Sequence, residues 1–334
     1  TDCPTVSRIS MGTLHIGASN GIKDVTEINL WIKAAVDIGI TLFDLADVYP
    51  PTENPGTSVT LFGQALALTP GLREQIQVVA KMDIMGTHID SSPSHLTEVL
   101  TWYLEQLHTD YIDILMLHMP DSYTDAGELA ALFAEFHKQG KVKHFGLSDH
   151  KTHRYDLINK RMKDRGMLGL VTHEIEFSVW VPAPANYDND LTDHAQLNGI
   201  RPLAWGPLGG DPLGMSVFEG ENPSSRLFHP TSERGVKIVS VLNQVGEELG
   251  LHNRPDVVAI AWLLNHPVGA IPILGTTKIE RMRNQALDAL DVKLTHAQWY
   301  AVGRAGGLCH LTDIGCNYDK YAAKKSEVSA KAEL

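Results

Sequence analysis

Four polar side chains of the kinds that transfer protons lie at the predicted ends of neighbouring strands. Asp44 and Tyr49 belong to the segment TLFDLADVYP (41–50), Lys81 ends IQVVAK, and His118 ends YIDILMLH. A phenol is a poor proton donor at neutral pH, but an adjacent ammonium favours the phenolate and lowers the phenol's pKa. A carboxylate would hold that ammonium, and a neutral imidazole could donate a hydrogen bond to a carbonyl oxygen. Together the residues predict a site that protonates a carbonyl oxygen as it becomes an alkoxide.

Each of these residues also has an ordinary structural interpretation when it is considered alone. Asp44 could cap a helix, Tyr49 could pack at a rim, Lys81 could extend from a strand end to solvent, and His118 could be a satisfied core residue. The chemical interpretation is favoured because all four follow strands that are neighbours in the predicted fold.

The elements that must position these side chains alternate regularly along the chain. Short apolar runs predict eight strands, at 9–17, 40–43, 76–81, 111–118, 142–148, 169–176, 201–205 and 269–274. Apolar residues at helical spacing lie between them, for example over 24–39, 94–110, 125–140 and 278–290. Ser94 is predicted to begin one helix, and Gly39 and Gly140 to follow two helix ends.

Eight strand–helix repeats predict an α/β fold, a (β/α)8 TIM barrel, as a single domain over residues 1–334. A two-domain, doubly wound enzyme is the competing architecture, which the lack of a dividing linker disfavours. The tail, at about residues 318–334, is small and charged and is expected to be poorly ordered at its end.

The predicted strand ends carry further polar or aromatic residues. These are Ser148 and Asp149 after the fifth strand, Glu174 and Glu176 at the end of the sixth, Trp205 at the end of the seventh, and GTTKIER after the eighth. Barrel enzymes place their chemistry at the carboxyl ends of the strands. The polar end of the second strand is therefore one member of a ring of such ends.

Bulk composition narrows the possible partners. The 334-residue chain has a formal net charge of −12, which argues against nucleic acid as the main partner. It has three cysteines, Cys3, Cys309 and Cys316, whose wide spacing implies no disulfide framework and suits a reducing, cytoplasmic compartment. No apolar run approaches the roughly 20 residues needed to span a bilayer, and no signal peptide is visible. We expect neither a nucleic-acid nor a membrane partner.

Six segments in the correct order resemble motifs of the aldo-keto reductase family, over roughly residues 8 to 303. DLADVY resembles the family's D-x-A-x-x-Y, VVAK its strand-ending Lys, and LMLHMPD its His. The other three segments are GKVKHFGLSDH, LAWGPLGG and IPILGTTKIERMRNQ. The likeness is greatest to bacterial-type members of the family.

The resemblance implies NADPH-dependent reduction of aldehydes or ketones. Tyr49 would be the general acid, Lys81 and Asp44 would lower its pKa, and His118 would orient the carbonyl. The family binds NADPH across the barrel mouth without a Rossmann fold, and no G-x-G-x-x-G follows the first strand.

The resemblance also implies which residues bind the NADP(H) cofactor. The matching positions are Gly12 and Thr13 near the nicotinamide; Ser148, Asp149 and Glu174 at its carboxamide; Trp205 stacked on its ring; Gly206, Leu208 and Gly209 at the pyrophosphate; Gly275, Thr276, Thr277, Lys278 and Arg281 at the 2′-phosphate; and Gln285 at the adenine. A helix N-terminus with two cations suits a 2′-phosphate, so NADP is preferred over NAD.

Two departures from the family pattern change hydrogen-bonding capacity. Asp149 stands where the family has Asn, and Glu174 stands where it has Gln. An ionised carboxylate only accepts hydrogen bonds, and two anions would favour the cationic oxidised nicotinamide. We therefore expect tighter binding of NADP+ relative to NADPH than amide-bearing members show. Pro50 replaces the Gly that usually follows the Tyr, and Leu274 replaces a Pro.

Two other functions are compatible with parts of the sequence. A non-catalytic, NADP(H)-sensing regulatory subunit could use the same fold, although the four chemical side chains disfavour it. The chain has 16 histidines, and those in the segments HMPD, HFGLSDH and HKTHR could be the ligands of a metal-dependent barrel hydrolase. Of these, His144 is predicted to lie in a strand, and His150 and His153 in a surface turn. No H-x-H follows the first strand, so we predict no metal.

The substrate is a small-molecule carbonyl compound that the sequence leaves open among aldehydes, ketones, pyridoxal-like rings and sugars. Its specificity is expected to come from loops 50–60, 84–92, 120–126, 211–230 and 305–322. Candidate side chains are Met82, Met119, Trp180, Tyr187 and Leu311. The family resemblance implies a monomer.

Overall fold

The computed structural model describes residues 4–51, 53–182, 191–209 and 233–308. Eight parallel strands close into a barrel in the order of the sequence. They are β1 (Ser10–Gly12), β2 (Leu42–Ala46), β3 (Gln77–Met82), β4 (Ile112–Leu117), β5 (Val142–Ser148), β6 (Leu170–Glu176), β7 (Leu203–Trp205) and β8 (Ile271–Leu274). The (β/α)8 prediction is confirmed, and the doubly wound alternative is wrong because β1 pairs with β8 and leaves no open sheet edge.

Helices alternate with these strands along the chain. They are α1 (Val25–Asp37), α2 (Thr57–Ala67), α3 (Pro93–Gln106), α4 (Ala126–Lys138), α5 (Thr152–Lys163), α6 (Leu191–Asn198), α7 (Glu233–Glu248), α8 (Pro255–Leu264), α9 (Ile279–Asp291) and α10 (His296–Ala305). The single-domain assignment for 1–334 stays a prediction, and its tail lies outside the described residues. No helix in the described ranges has the length and apolarity to cross a bilayer.

The ends of several helices follow the local chemistry of the sequence. Gly39 and Gly140 lie just past α1 and α4 with φ of 82° and 73°, a left-handed conformation that glycine adopts without a steric penalty. The start of α3 differs from the prediction. Ser92, not Ser94, is the N-cap: its side chain accepts a hydrogen bond from the backbone N–H of His95. Pro93 follows at the first helical position, where its fixed φ suits the helix.

The boundaries of β1 and β2 differ from the prediction, and the difference changes whether Asp44 lies within a strand or in a loop. β1 ends at Gly12, earlier than predicted; Thr13 still donates its backbone N–H to the carbonyl oxygen of Asp44, and a turn follows at residues 14–15. β2 begins two residues later than predicted and continues to Ala46, so Asp44 lies inside the strand and not after it. Glu174 likewise lies within β6. Their backbones are therefore fixed by strand pairing.

The barrel interior has an apolar layer formed by the inward-facing side chains of its strands. This buried cluster consists of Leu42, Val79, Ile114, Met116, Val171, Leu203, Ile271 and Ile273. A larger cluster fills the space between the barrel and its helices. Because side chains alternate along a strand, residues two positions beyond an inward apolar residue also face inward. Asp44 follows Leu42 in this way, and Lys81 follows Val79.

Candidate active site

The centre of the polar layer is the ammonium group of Lys81, which is 1% exposed and lies between two carboxyl groups. Its Nζ donates to Asp44 Oδ1 at 2.8 Å and to Oδ2 at 2.7 Å, and to Glu174 Oε1 at 2.6 Å. Asp44 and Glu174 are 3% and 2% exposed. An ammonium has three N–H donors, so carboxyl oxygens can use all of its hydrogen-bonding capacity.

Tyr49 and His118 lie beside this cluster. Lys81 Nζ is 5.4 Å from the centre of the Tyr49 ring. The rings of Tyr49 and His118 meet edge to face, with centroids 6.0 Å apart and planes at 85°. Backbone hydrogen bonds from Tyr49 N–H to Ala46 O and from Ser58 N–H to Tyr49 O hold the loop that carries the phenol. The four predicted catalytic residues are thus brought together in space.

The structure corrects the predicted direction of the Tyr49 pKa. Burial of the side chain raises the pKa of Tyr49 above its usual value. Lys81 opposes this change, as expected, but the negative charges of Asp44 and Glu174 partly cancel its influence. The sequence argument considered the ammonium and omitted the loss of water. The phenol of the free protein therefore keeps its proton, which it can donate only to a strong base such as a forming alkoxide.

His118 is a neutral imidazole in this site. Burial and the nearby charge of Lys81 hold its pKa well below the usual value. Its side chain is 4% exposed, and its Nδ1 has no hydrogen-bond partner among the described residues. A neutral ring can donate one hydrogen bond without adding positive charge to the site.

The two carboxyl groups around Lys81 differ in their contacts. Asp44 uses both oxygens on the ammonium, whereas Glu174 uses only Oε1. Burial first, and then the charge of Asp44, raises the pKa of Glu174 to about 8, with Lys81 opposing. Burial also raises the pKa of Asp44, and the charge of Lys81 counteracts this rise. Burial and the charge of Asp44 therefore oppose the ionisation of Glu174, a cost that the sequence argument did not consider when it treated this side chain as an anion.

Asp149 follows β5 and holds the indole of Trp205. Asp149 adopts a left-handed backbone conformation, with φ of 53°, and its N–H donates to the carbonyl oxygen of Glu174. Trp205 Nε1 donates to Asp149 Oδ1 and Oδ2, both at 3.2 Å. Burial raises the pKa of Asp149 to about 6, and the hydrogen bond from Trp205 opposes this rise. Asp149 thus fixes the orientation of an aromatic wall beside Glu174.

We expect Asp149→Ala to release the Trp205 indole, because the substitution removes both acceptor oxygens. A hydrogen bond to a charged group contributes about 1.5–3 kcal/mol, so above the Asp149 pKa solvent exchange of the Trp205 Nε1–H should accelerate about ten- to a hundredfold. Exchange is measured by NMR, with Trp205→Phe to assign the indole signal. Asp149→Asn is the matched control, because it keeps one acceptor oxygen and should preserve slow exchange. Equal exchange in wild type and Asp149→Ala would contradict this role.

The remaining predicted cofactor residues lie around the same end of the barrel. Gly12 pairs with Asp44, and the Thr13 hydroxyl donates to the Asp44 carbonyl oxygen, so this segment supports β2. Ser148 is buried at the end of β5. Gly206 and Gly209 have φ of 63° and 76° in the turn after β7, which also contains the partly buried Leu208.

The segment after β8 leads into α9. Gly275 and Thr277 belong to the connecting loop, and the Thr276 hydroxyl accepts from the Lys278 N–H. Lys278 and Arg281 are exposed, and neither makes an ion pair with another described residue. The predicted adenine contact differs in its surroundings: Gln285 is 3% exposed and its Nε2 donates to Asp256 Oδ2. Its amide nitrogen is therefore engaged in packing α9 on α8.

Several features of the buried polar groups near the site were not predicted from the sequence. The main feature is the contact between Lys81 and Glu174, which are 93 positions apart in the sequence and lie on different strands. Asp47 and Asp83 also flank the site, and burial raises their pKa values to about 7 and about 8. The positions of these acids, three residues after Asp44 and two after Lys81, were a usable signal.

The residues that were predicted to determine substrate specificity differ in how exposed they are in the structure. Met82 and Trp180 are 0% and 1% exposed, so they belong to the packed core and not to an open wall. Met119 is partly exposed in the loop after β4. Tyr187 and Leu311 lie outside the described residues, as do loop 211–230 and most of 305–322.

The histidines that suggested a metal site are dispersed. His144 lies in β5 as predicted, but His153 lies in α5, and His150 is 3% exposed with its Nδ1 at 2.7 Å from the Ser148 carbonyl oxygen. The predicted surface turn for these last two residues is wrong. Within the described parts of the chain, no three His, Cys, Asp or Glu side chains are grouped to hold a metal ion. Cys309 and Cys316 lie outside those parts.

Comparison with known proteins shows that the sequence is similar to one protein family and to several oxidoreductases over most of its length. The sequence profile of the Aldo/keto reductase family matches residues 8–305. The uncharacterized oxidoreductase YcsN of Bacillus subtilis is 34% identical, over 89% of this chain and 93% of its own. Oxidoreductase YdhF of Escherichia coli is 32% identical, over 90% and 94%. A 6-dehydroglucose reductase of Agrobacterium fabrum is 30% identical, over 88% and 92%.

Proposed function

Because this chain belongs to the aldo/keto reductase family, whose members are oxidoreductases that use a nicotinamide cofactor, we propose that it reduces aldehyde or ketone carbonyls to alcohols with NADPH. The observation that carries the proposal is the buried Asp44–Lys81 pair against the Tyr49 ring, with neutral His118 beside it. This arrangement supplies a proton and an orienting hydrogen bond at one place.

The residues at the barrel mouth fit a nicotinamide ring with its carboxamide. Glu174 Oε2 is buried and accepts no hydrogen bond from a donor among the described residues, so an amide group can use it. The Trp205 indole is held by Asp149 and offers a flat apolar face. Gly206 and Gly209, in left-handed conformations, allow a close approach of main chain to the pyrophosphate. When bound, this cofactor supplies the hydride.

The protein's own residues act on the substrate oxygen. His118 donates a hydrogen bond that orients the carbonyl and polarises it. Tyr49 transfers its hydroxyl proton to the oxygen as negative charge develops there. Lys81 stabilises the phenolate that remains, and Asp44 holds the ammonium in place. The high pKa of the phenol delays proton transfer until the oxygen has become strongly basic.

The choice of NADPH over NADH depends on Lys278 and Arg281. We expect Lys278→Ala/Arg281→Ala to raise the Kd for NADPH by about ten- to a hundredfold, since charge-assisted hydrogen bonds contribute about 1.5–3 kcal/mol. The Kd for NADH, which lacks the 2′-phosphate, should not change. Fluorescence titration measures both values.

Arg283→Ala is the matched control for the cofactor preference, because it removes an exposed cation from the same helix. The control should leave NADPH affinity within about twofold, as screening weakens a charge that makes no contact. Equal weakening by both sets of variants, or equal weakening of NADH, would contradict a specific 2′-phosphate site.

The proposed reaction is tested by NADPH oxidation over a panel of carbonyl compounds. Hydroxylated carbonyls belong in that panel because two relatives, both 30% identical, are named 6-dehydroglucose reductase. Simple aldehydes, ketones and pyridoxal-like rings complete it. NADPH binding without turnover of any compound would instead favour the regulatory-subunit alternative.

A further inference from the structure

The surroundings of Glu174 contain one ammonium for two carboxyl groups. Lys81 directs hydrogen bonds to both oxygens of Asp44 and to Oε1 of Glu174. All three groups are at most 3% exposed, so water cannot stabilise a second negative charge. Two adjacent carboxyl groups in such a place share one proton.

The geometry assigns that proton to Glu174. Asp44 accepts from Lys81 through both oxygens, which stabilises its ionised form, whereas Oε2 of Glu174 accepts from no described donor. The other titratable groups that interact with Glu174 are Asp44 from β2, Tyr49 after β2, Lys81 from β3 and Asp149 after β5. The neighbouring β7, Leu203–Trp205, adds no titratable side chain.

Glu174 also lies close to where the cofactor's charge must change. A hydride donor approaches the reacting carbon to about 3–3.5 Å, and that carbon is bonded to the oxygen that Tyr49 protonates. Lys81 lies against the Tyr49 ring and directly contacts Glu174. A nicotinamide placed to reduce that carbonyl would therefore lie near Glu174, and such a ring is neutral when reduced and cationic when oxidised.

We propose that Glu174 is a proton-linked residue that discriminates between the two redox forms: it keeps its proton beside NADPH and releases it to solvent when NADP+ binds. The inference rests on the proposed function. It differs from a fixed anionic preference, because the bias towards the oxidised form is present only where Glu174 can ionise. By reciprocity, NADP+ affinity rises with pH while NADPH affinity does not.

The experiment is isothermal titration calorimetry of both redox forms in buffers of different ionisation enthalpy. Near pH 7.5, a group with a pKa of about 8 is about three-quarters protonated, so NADP+ binding should release about three-quarters of a proton more than NADPH binding does. The 2′-phosphate occurs in both forms, so its own titration cancels in the difference. With the free-protein pKa of Glu174 raised to about 8, left there by NADPH and brought well below 7 by NADP+, the ratio of Kd for NADPH to Kd for NADP+ should rise about tenfold between about pH 7 and pH 9.

Two variants separate Glu174 from its neighbours. Glu174→Gln keeps the shape and the acceptor for Lys81 but cannot titrate, so the difference in proton release and the pH trend should vanish. Asp149→Asn removes the other nearby acid and should retain both effects. Difference infrared spectra of the wild type provide a second measurement: a protonated-carboxyl C=O band should disappear with NADP+ but not with NADPH.

The outcomes distinguish this inference from the proposed function. Binding of both forms with equal proton release and an unchanged carboxyl band would overturn the inference alone. A difference that survives in Glu174→Gln would also overturn it. If neither form binds the wild-type protein, the proposed cofactor is wrong, and the inference fails with it.

Discussion

Tyr49→Phe is expected to lower kcat for carbonyl reduction by about 10²- to 10⁴-fold, the range that a positioned general acid contributes. The substitution removes only the hydroxyl group, so the ring still meets His118 edge to face and still packs beside Lys81. NADPH affinity should stay within about threefold, because Tyr49 acts on the substrate oxygen and not on the cofactor. Single-turnover kinetics, monitored by NADPH fluorescence, measure the step directly.

Tyr103→Phe is a suitable control for loss of a buried phenol hydroxyl. The Tyr103 hydroxyl donates to the carbonyl oxygen of Lys81 at 2.7 Å, and its ring is fully buried. Removing it should cost about 1 kcal/mol of unfolding free energy and leave kcat within about fivefold. If both variants lost activity equally, Tyr49 would be acting through the structure of β3 and not as the proton donor.

The catalytic positions were predictable because strand periodicity and barrel topology determine them. Asp44 lies two positions after Leu42, and Lys81 two positions after Val79, so a strand that buries the first residue also directs the second inward. The alternation of eight apolar runs with helical patterns was enough to predict a closed barrel. Motif order then indicated which end of the barrel carries the chemistry.

The electrostatics of the site were less predictable, because they depend on how completely the closed barrel removes water. The sequence indicated a Lys81–Tyr49 interaction but gave no measure of desolvation, and the pKa of Tyr49 consequently changes in the opposite direction. The sequence indicated Glu174 as a departure from the family pattern. The contact between Glu174 and Lys81 could not be predicted from the order of the strands, because β3 and β6 are not adjacent in the barrel.

Strand boundaries were the other source of error, and here they have a chemical meaning. A carboxylate in a loop after β2 could move to follow its partner, whereas Asp44 within the strand is held by pairing on both sides, with Gly12 of β1 and Val79 of β3. Glu174, which was predicted within the sixth strand, is held in the same way by pairing with Ser148 and Leu203. Fixed backbones hold two carboxyl groups at one ammonium and prevent them from separating.

Lys81→Met should therefore have the largest effect on stability, lowering the unfolding free energy by about 3–5 kcal/mol near pH 8, since it leaves two buried carboxyl groups without a counter-ion. The loss should shrink as the pH falls. Without Lys81, the folded-state pKa values of Asp44 and Glu174 rise further above their ordinary values of 3.8 and 4.5. The folded state then binds more protons than the unfolded state, so its stability decreases as the pH rises from about 5 to 8.

Urea unfolding of wild type and Lys81→Met across that pH range measures the difference. Adding Asp44→Asn to Lys81→Met should recover about 1–3 kcal/mol of the unfolding free energy near pH 8. The second substitution removes one buried charge that lacks a counter-ion and keeps the side-chain volume. The double variant should remain inactive, since the ammonium that stabilises the Tyr49 phenolate is still missing. A stability deficit that is independent of pH would mean that Lys81 contributes mainly by packing its aliphatic chain, and the electrostatic account of the site would be wrong.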